Sequence, residues 1–205
     1  MNGYAVNGAD INGSIIARSV DDLGFTGHNY FTVSIDNIGH HLISFAATLR
    51  DGLPTYLSVT IPMQDKDMNY FDPHINPDPG PPGNPNQRSP VVLTHLTVAQ
   101  DGRNRSTVIV AARITAARAQ KDASRHVFLV TAYENRTTTR SRVIDFESAF
   151  EVTMDNSGKR RVRCPFDPRM RPGYVARFPG MDDIIVRAIH LTGTTQSVTC
   201  SMVER

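Results

Sequence analysis

The residue types that bind metals or attack substrates are few in this chain, and they form no known motif. Seven histidines are scattered along 205 residues. His40 and His41 are adjacent, so on a strand they would point to opposite faces. The sequence has no His-x-His, His-Glu-x-x-His or Cys-x-x-Cys spacing, which are common metal-ligand arrangements, and no Gly-x-Ser-x-Gly nucleophile turn. We therefore expect no catalytic residues, no metal site and no cofactor, and we predict that the protein is not an enzyme.

The two cysteines, Cys164 and Cys200, each lie in a segment of alternating side-chain character. Two such segments can be neighbouring strands, which leaves a structural disulfide open. The amino terminus lacks the basic and apolar regions of a secretory signal, so the main expectation is two reduced thiols in a protein made in a cytoplasm. No run of about 18 apolar residues is present, so we expect no membrane insertion.

Arginine is the dominant basic residue and is concentrated in one part of the chain. There are 19 Arg but only 3 Lys, and the formal net charge is +2. Between Arg136 and Arg177, ten basic residues stand against five acidic ones. Arginine binds carboxylates and phosphates alike, so this region fits either a contact with another protein chain or a DNA-facing surface. The small net charge and the lack of interleaved aromatic residues favour the protein interface over direct DNA contact.

Five arginines are the candidate interface residues. On a strand that begins at residue 160, alternate side chains share a face. Arg161 and Arg163 would then share one face of the strand, and Arg160 would lie on the other. The candidates are Arg160, Arg161, Arg163, Arg169 and Arg171.

The sequence Arg171-Pro172-Gly173 predicts a tight turn. Pro172 fixes φ near about −65° at the second position, and Gly173 supplies the positive φ that a type II turn needs next. We predict that these two residues form a structural turn that reverses the chain between segments 160–165 and 175–178.

The composition is typical of a β-rich fold. Thr occurs 18 times, whereas Glu occurs 4 times and Lys 3 times, and Thr favours strands while Glu and Lys favour helices. Hairpin turns are predicted at Asp51-Gly52, Asp101-Gly102 and Asn156-Ser157-Gly158. One short helix is predicted at residues 111–122, which are rich in Ala. Strands are predicted at residues 14–20, 30–36, 42–49, 55–61, 91–99, 106–112, 127–133, 144–154, 160–165, 175–178, 184–190 and 197–203.

A proline-rich segment interrupts this pattern. Seven prolines lie between Asp72 and Pro90, and they remove backbone donors, so we expect a long exposed loop or linker. It either separates two domains or is an insertion in one β domain whose flanking strands pair across it. We predict an amino-terminal arm and β module at residues 1–71, the loop at 72–90 and a carboxy-terminal β module at 91–205. The fold class is thus all-β, with antiparallel barrel or sandwich modules and at most one short helix.

Two carboxy-terminal segments resemble a pattern in the tail-tip and baseplate hub proteins of tailed bacteriophages. They are Ser157-Gly-Lys-Arg-Arg-Val-Arg-Cys164 and Asp167-Pro-Arg-Met-Arg-Pro-Gly-Tyr-Val175. In those proteins a basic strand leads to an Arg-Pro-Gly-Asp-x-Val turn and two closing strands. Here Tyr174 replaces the Asp, and segments 184–190 and 197–202 fit the closing hairpin. Asp51-Gly-Leu-Pro-Thr-Tyr-Leu-Ser-Val-Thr-Ile-Pro62 is similar to strand entries of such proteins.

The resemblance implies an all-β, non-enzymatic structural component of a virion. Its partners would be further copies of itself in a ring and other phage tail proteins. It would be assembled in the host cytoplasm and located in the tail. A virion protein that binds a host receptor or carbohydrate through residues 72–90 is the alternative.

Overall fold

The computed structural model describes residues 27–62, 90–99, 104–122, 125–134 and 141–205. These residues contain thirteen β-strands and no helix, so no helix among them has the length and apolar character needed to cross a membrane. The strands are β1 Gly27–Ile35, β2 Ile38–His40, β3 Ser44–Arg50, β4 Leu53–Pro62, β5 Pro90–Ala99, β6 Asn104–Asp122, β7 Arg125–Glu134, β8 Val143–Asp145, β9 Glu151–Met154, β10 Arg160–Cys164, β11 Val175–Arg177, β12 Ile184–Gly193 and β13 Val198–Glu204.

The strands belong to one sheet, whose neighbours are antiparallel at every pair except one. The order across the sheet is β2-β1-β5-β6-β7-β4-β3-β12-β13-β10-β9. Beside this path, β11 pairs with β12 and also, in parallel, with β8. Strands from early and late parts of the chain meet where β3 pairs with β12. The all-β, antiparallel fold class expected from the sequence is confirmed.

The sheet curves around a single apolar core. The N–H of Phe31 on β1 donates to the carbonyl of Thr195, in the turn between β12 and β13, at 2.7 Å. The Thr195 hydroxyl in turn donates to the carbonyl of Leu42 at 2.6 Å. On β4 every second residue is buried, including Leu57 and Ile61 at 0% exposure. This two-residue period places one face of the sheet on the core and the other toward solvent. We call the second face the outer face.

The predicted helix at residues 111–122 is wrong, because these residues form the second half of β6. β6 pairs with β5 as far as Arg113 and with β7 from that residue onward. Ala112 and Ile114 are buried, whereas Arg113 and Thr115 are exposed, as expected of a strand. The alanines give this segment helix propensity, but backbone pairing with a neighbouring strand outweighs that weak local preference.

Two of the three predicted hairpin turns are confirmed. β3 and β4 are antiparallel neighbours joined at Asp51-Gly52, where Gly52 has φ of +64°. β9 and β10 are joined through Asn156-Ser157-Gly158, where Gly158 has φ of +77°. The third turn, Asp101-Gly102, lies outside the described residues, although the two strands that it would join, β5 and β6, are antiparallel neighbours.

Two strand predictions need correction. The predicted strand at 144–154 is divided, since β8 and β9 are separated by residues 146–150. The strands that flank the proline-rich segment do not pair across it, because β6 and β7 lie between β4 and β5. Pairing across this segment is one of the two arrangements that the sequence leaves open, and the strand order of the described residues excludes it.

Several predictions concern residues outside the described ranges. They are the strand at 14–20, the amino-terminal arm and the loop at 72–89. Pro90, the last residue of the predicted loop, begins β5. The division into two modules around this loop remains a prediction.

Candidate interaction surface

Two arginines of β10 lie together on the outer face of the sheet. Along this strand Val162 and Cys164 are fully buried, while Arg161 and Arg163 are exposed. Neither guanidinium forms an ion pair or hydrogen bond with any residue that the structure describes. An arginine head group has five N–H donors, so this pair is available to bind carboxylate or phosphate oxygens from another molecule.

Arg160, on the same strand, is engaged within the chain. Its guanidinium binds the Glu204 carboxylate at 2.7 Å, and its backbone N–H donates to the same carboxylate at 3.0 Å. The remaining donors reach the carbonyls of Asp182 and Asp183 at 3.1 and 3.3 Å. The hydrogen bond from Arg160 lowers the pKa of Glu204 to about 2. Arg160 therefore joins the start of β10 to the end of β13.

Arg169 and Arg171 also make intramolecular contacts. Arg169 pairs with the buried carboxylate of Asp167 at 2.6 Å, and its backbone N–H donates to the same side chain at 2.7 Å. The Arg171 guanidinium donates to the carbonyls of Pro168 and Met170, each at 2.7 Å, and to that of Val108 on β6 at 3.0 Å. These contacts hold the loop before β11 against β6.

The segment Arg171-Pro172-Gly173 forms a tight turn next to β12. Gly173 has φ of +86°, and the N–H of Tyr174 donates to the carbonyl of Arg171 at 3.2 Å. This is the hydrogen bond that closes a four-residue turn, and the positive φ at its third residue is that of type II. The Gly173 N–H donates to the carbonyl of Val186 at 2.7 Å. The turn thus leads the chain into β11 beside β12.

The outer face carries a row of polar and aromatic side chains that sequence reasoning did not find. The strand registers place one residue from each of six consecutive strands directly opposite the next. We call this set the outer row: Arg163, Ser201, His190, Thr48, Tyr56 and Tyr133. These residues are far apart in sequence, and only the pairing of their strands brings them together.

Interactions along the outer row are specific. The Nδ1 atom of His190 lies 3.2 Å from the hydroxyl of Thr48. The rings of Tyr56 and Tyr133 meet edge to face, with centroids 5.3 Å apart. Partial burial lowers the pKa of His190, and the positive charges of Arg161 and Arg50 lower it further. Arg161 and Arg50 therefore disfavour the protonated form of His190 on this face.

Among the described residues, no group of three or more His, Cys, Asp or Glu side chains is arranged to hold a metal ion. Cys164 and Cys200 lie directly opposite each other on β10 and β13 and are buried free thiols. The pKa of Cys164 is raised, mainly by the hydrogen bond between the two thiols and also by burial. Protonated, buried thiols are poor nucleophiles.

Comparison with known proteins finds a similar fold in a solved tail protein. No family model matches the chain, and no curated protein matches it. The tail protein from Neisseria meningitidis MC58 superposes with a TM-score of 0.53 and 5% identity, over 86% of this chain and 96% of that one. The fold that the resemblance implies is therefore found in a solved tail protein, while the low identity limits the likeness to fold.

Two further solved structures align more loosely. The E. coli c3393 protein, a component of the type VI secretion system described as similar to the T4 bacteriophage tail proteins gp27 and gp5, has a TM-score of 0.44 and 6% identity, over 83% of this chain and 75% of that one. The Francisella PdpA-VgrG complex, in its half-lidded form, has a TM-score of 0.31 and 12% identity, over 56% of this chain and 20% of that one.

Proposed function

We propose that this chain is a structural component of a bacteriophage virion, namely a ring-forming protein of the tail tip or baseplate hub. The observation that carries the proposal is the fold shared with the Neisseria meningitidis tail protein over 86% of this chain and 96% of that one. The role is assembly rather than catalysis. The chain would assemble in the host cytoplasm with further copies of itself and with other tail proteins, and would reside in the tail.

The unpaired arginines support a protein contact within that assembly. Arg163 belongs to the outer row and Arg161 is exposed on the same face, and Tyr and Arg are enriched at protein interfaces. We assign to these two arginines a contact with carboxylates of a neighbouring chain. Arg160, Arg169 and Arg171 support this surface indirectly, because their contacts hold β10 and the following loop in place. Pro172 and Gly173 have the architectural role of the turn.

The alternative is a receptor- or carbohydrate-binding virion protein that uses residues 72–90. These residues lie outside the described ranges except for Pro90, and no observation favours this alternative. The two functions differ in their measurable behaviour, since a hub protein has a fixed stoichiometry in the particle and a receptor-binding protein binds host cells or glycans saturably.

An electron-microscopy reconstruction of particles that contain the chain tests the proposal. We expect density for the fold in a closed ring at the tail tip or baseplate. Saturable binding of the purified protein to host cells or glycans, with its density at the particle surface rather than in a ring, would favour the alternative. Absence of the chain from purified particles would contradict both.

A further inference from the structure

Two cysteine side chains meet on the core face of the sheet. Cys164 on β10 and Cys200 on β13 are opposed residues in the register of these antiparallel strands. They are 0% and 3% exposed, and a hydrogen bond joins the two thiols. The sequence contains these two cysteines and no other, so each thiol has one possible partner within it.

The positions of the two residues suit a covalent bond between them. Directly opposed residues of antiparallel strands have Cα atoms about 4.5–5.5 Å apart, and disulfides span Cα distances of about 4.4–6.8 Å. The Cβ atoms of opposed residues lie about 4.5–5.5 Å apart, whereas a disulfide needs about 3.5–4.5 Å. A local approach of the two side chains by about 1 Å therefore brings them to bonding distance.

The surroundings of the pair favour a disulfide over a thiolate. The pKa of Cys164 is raised mainly by its hydrogen bond to Cys200, then by burial, with a smaller effect of the Asp167 carboxylate. A thiolate in this apolar core would be a buried charge, which is costly. A disulfide is neutral, so it can occupy the same place without that cost.

We propose that Cys164 and Cys200 form a reversible disulfide that links β10 to β13 when the chain meets a small-molecule disulfide as oxidant. The bond would join two strands that are already paired and would close a loop that contains β11 and β12. A disulfide stabilises a fold mainly by restricting the unfolded chain. Because the same two strands place Arg163 opposite Ser201, the bond would also fix the arginine end of the outer row.

The oxidation proceeds as two thiol–disulfide exchanges. The thiolate of one cysteine attacks a sulfur of the small disulfide, forms a mixed disulfide and releases one small thiolate. The thiolate of the other cysteine then attacks the protein sulfur of the mixed disulfide, forms the Cys164–Cys200 bond and releases a second small thiolate. The two protein thiols lose two electrons and two protons, and the small disulfide becomes two thiols. Since both cysteines are buried, the first exchange requires transient opening of the strands and is slow in the native protein.

The setting in which the bond would form rests on the proposed function. A cytoplasm keeps thiols reduced, whereas extracellular surroundings are oxidising. A virion protein passes from the first to the second when particles are released. The pair would therefore be reduced during assembly and oxidised in the released particle. The formation of the disulfide in the purified chain does not depend on this role.

The test incubates the full-length protein with oxidised glutathione at about pH 8, where thiolates form more readily. We expect the intact mass to fall by the mass of two hydrogen atoms, and dithiothreitol to restore it. A protease digest without reductant should contain one linked pair of peptides, one with Cys164 and the other with Cys200. The oxidised protein should melt about 5–15 °C higher than the reduced protein.

Cys200→Ala is the matched control, because it retains Cys164 and removes its partner. Oxidation of this variant should produce no intramolecular bond and no rise in melting temperature. If Cys200→Ala fails to fold, Cys164→Ala serves the same purpose from the other strand. The mass and the digest of the wild-type protein are decisive without either variant.

Three results would overturn the inference. The first is two free thiols in the wild-type protein after a time in which the amide hydrogens of β10 and β13 have exchanged with solvent. The second is a disulfide between two copies instead of within one, and the third is a melting temperature that oxidation leaves unchanged or lowers. A reduced pair in released particles would contradict the assigned setting, whereas absence of the chain from particles would contradict the proposed function and leave the disulfide of the purified protein intact.

Discussion

At the scale of single residues, arginines of similar sequence context have different surroundings. Arg160 and Arg161 are adjacent, yet the first forms an ion pair at 2.7 Å with Glu204 while the second faces solvent. The alternation of a strand explains the difference in direction. It does not reveal which residue carries the matching carboxylate, because Glu204 is 44 positions away in sequence. Assigning an intermolecular role therefore required the structure.

The ion pair between Arg160 and Glu204 makes a contribution to stability that depends on pH. The pKa of Glu204 falls from 4.5 to about 2 in the folded chain. A carboxyl group whose pKa is lower in the folded chain than in the unfolded chain stabilises the fold at pH values above its unfolded pKa. This stabilisation is lost as the pH falls through its folded pKa. We expect Glu204→Gln to reduce the free energy of unfolding at pH 7 by about 1 kcal/mol. The difference from the wild type should shrink below pH 4.5 and disappear near pH 2.

Denaturant unfolding of both proteins between pH 2 and pH 7 measures this difference. Glu147→Gln, which alters an exposed carboxylate, is the matched control and should change the free energy of unfolding little at any pH. A Glu204→Gln difference that stays constant across the whole pH range would contradict the assigned cause.

The cysteines give a second prediction at this scale. Cys164 and Cys200 are buried free thiols on opposed positions of β10 and β13, and the pKa of Cys164 is raised. Since the thiolate is the reactive form, we expect no rapid reaction with a thiol reagent at pH 8 in the native protein. Both thiols should react after unfolding in guanidinium under non-reducing conditions. Fewer than two reactive thiols in the unfolded protein would instead mean that the pair had formed a disulfide.

At the scale of elements, the turn at Pro172 and Gly173 sets the approach of β11 to β12. Gly173 has φ of +86°, and a Cβ there would lie 3.3 Å from Oδ1 of Asp51. Gly173→Val therefore combines backbone strain with a crowded contact. We expect this substitution to reduce the free energy of unfolding by roughly 1–3 kcal/mol. Each kcal/mol lost lowers the melting temperature by about 2–4 °C in a chain of this size.

A scanning calorimetry comparison with Gly39→Val checks this effect. Gly39 has no positive φ and nothing within 4 Å of an added Cβ, so its substitution should change the melting temperature much less. Equal melting temperatures for the Gly173→Val and wild-type proteins would show that the turn tolerates the strain.

The elements were more predictable from sequence than their arrangement was. The alternation around Leu57 and Ile61 predicts β4 almost to its ends, because each second side chain must be buried. Residues 111–122 were misassigned because alanine fits both a helix and a paired strand. The outer row could not be predicted, since His190 and Thr48 meet only through the pairing of β12 with β3. Local sequence specifies neither strand order nor register between distant segments.

At the scale of the whole molecule, the outer face of β10 is an exposed surface that carries two arginines, with Glu151 of β9 opposite Arg163. Arg161 and Arg163 lie on it, and His190 nearby has a pKa lowered in part by Arg161. Repulsion among like charges is relieved when carboxylates of a neighbouring chain approach. The contact would thereby also select its partner, because an electropositive neighbour would be repelled.

The last prediction tests this contact in the particle. Arg161→Glu combined with Arg163→Glu changes the charge of the surface by four units and leaves the buried face of β10 untouched, so the monomer should fold with a melting temperature close to that of the wild type. We expect the variant to fail to enter particles, and particle yield in cells that supply only this variant to fall by about tenfold or more. Arg105→Glu with Arg142→Glu makes the same charge change at two other exposed positions and should preserve yield. Normal particle yield from the Arg161 and Arg163 variant would show that these residues are not part of the interface. If the variant lost DNA binding but still assembled, the surface would be assigned to nucleic acid instead.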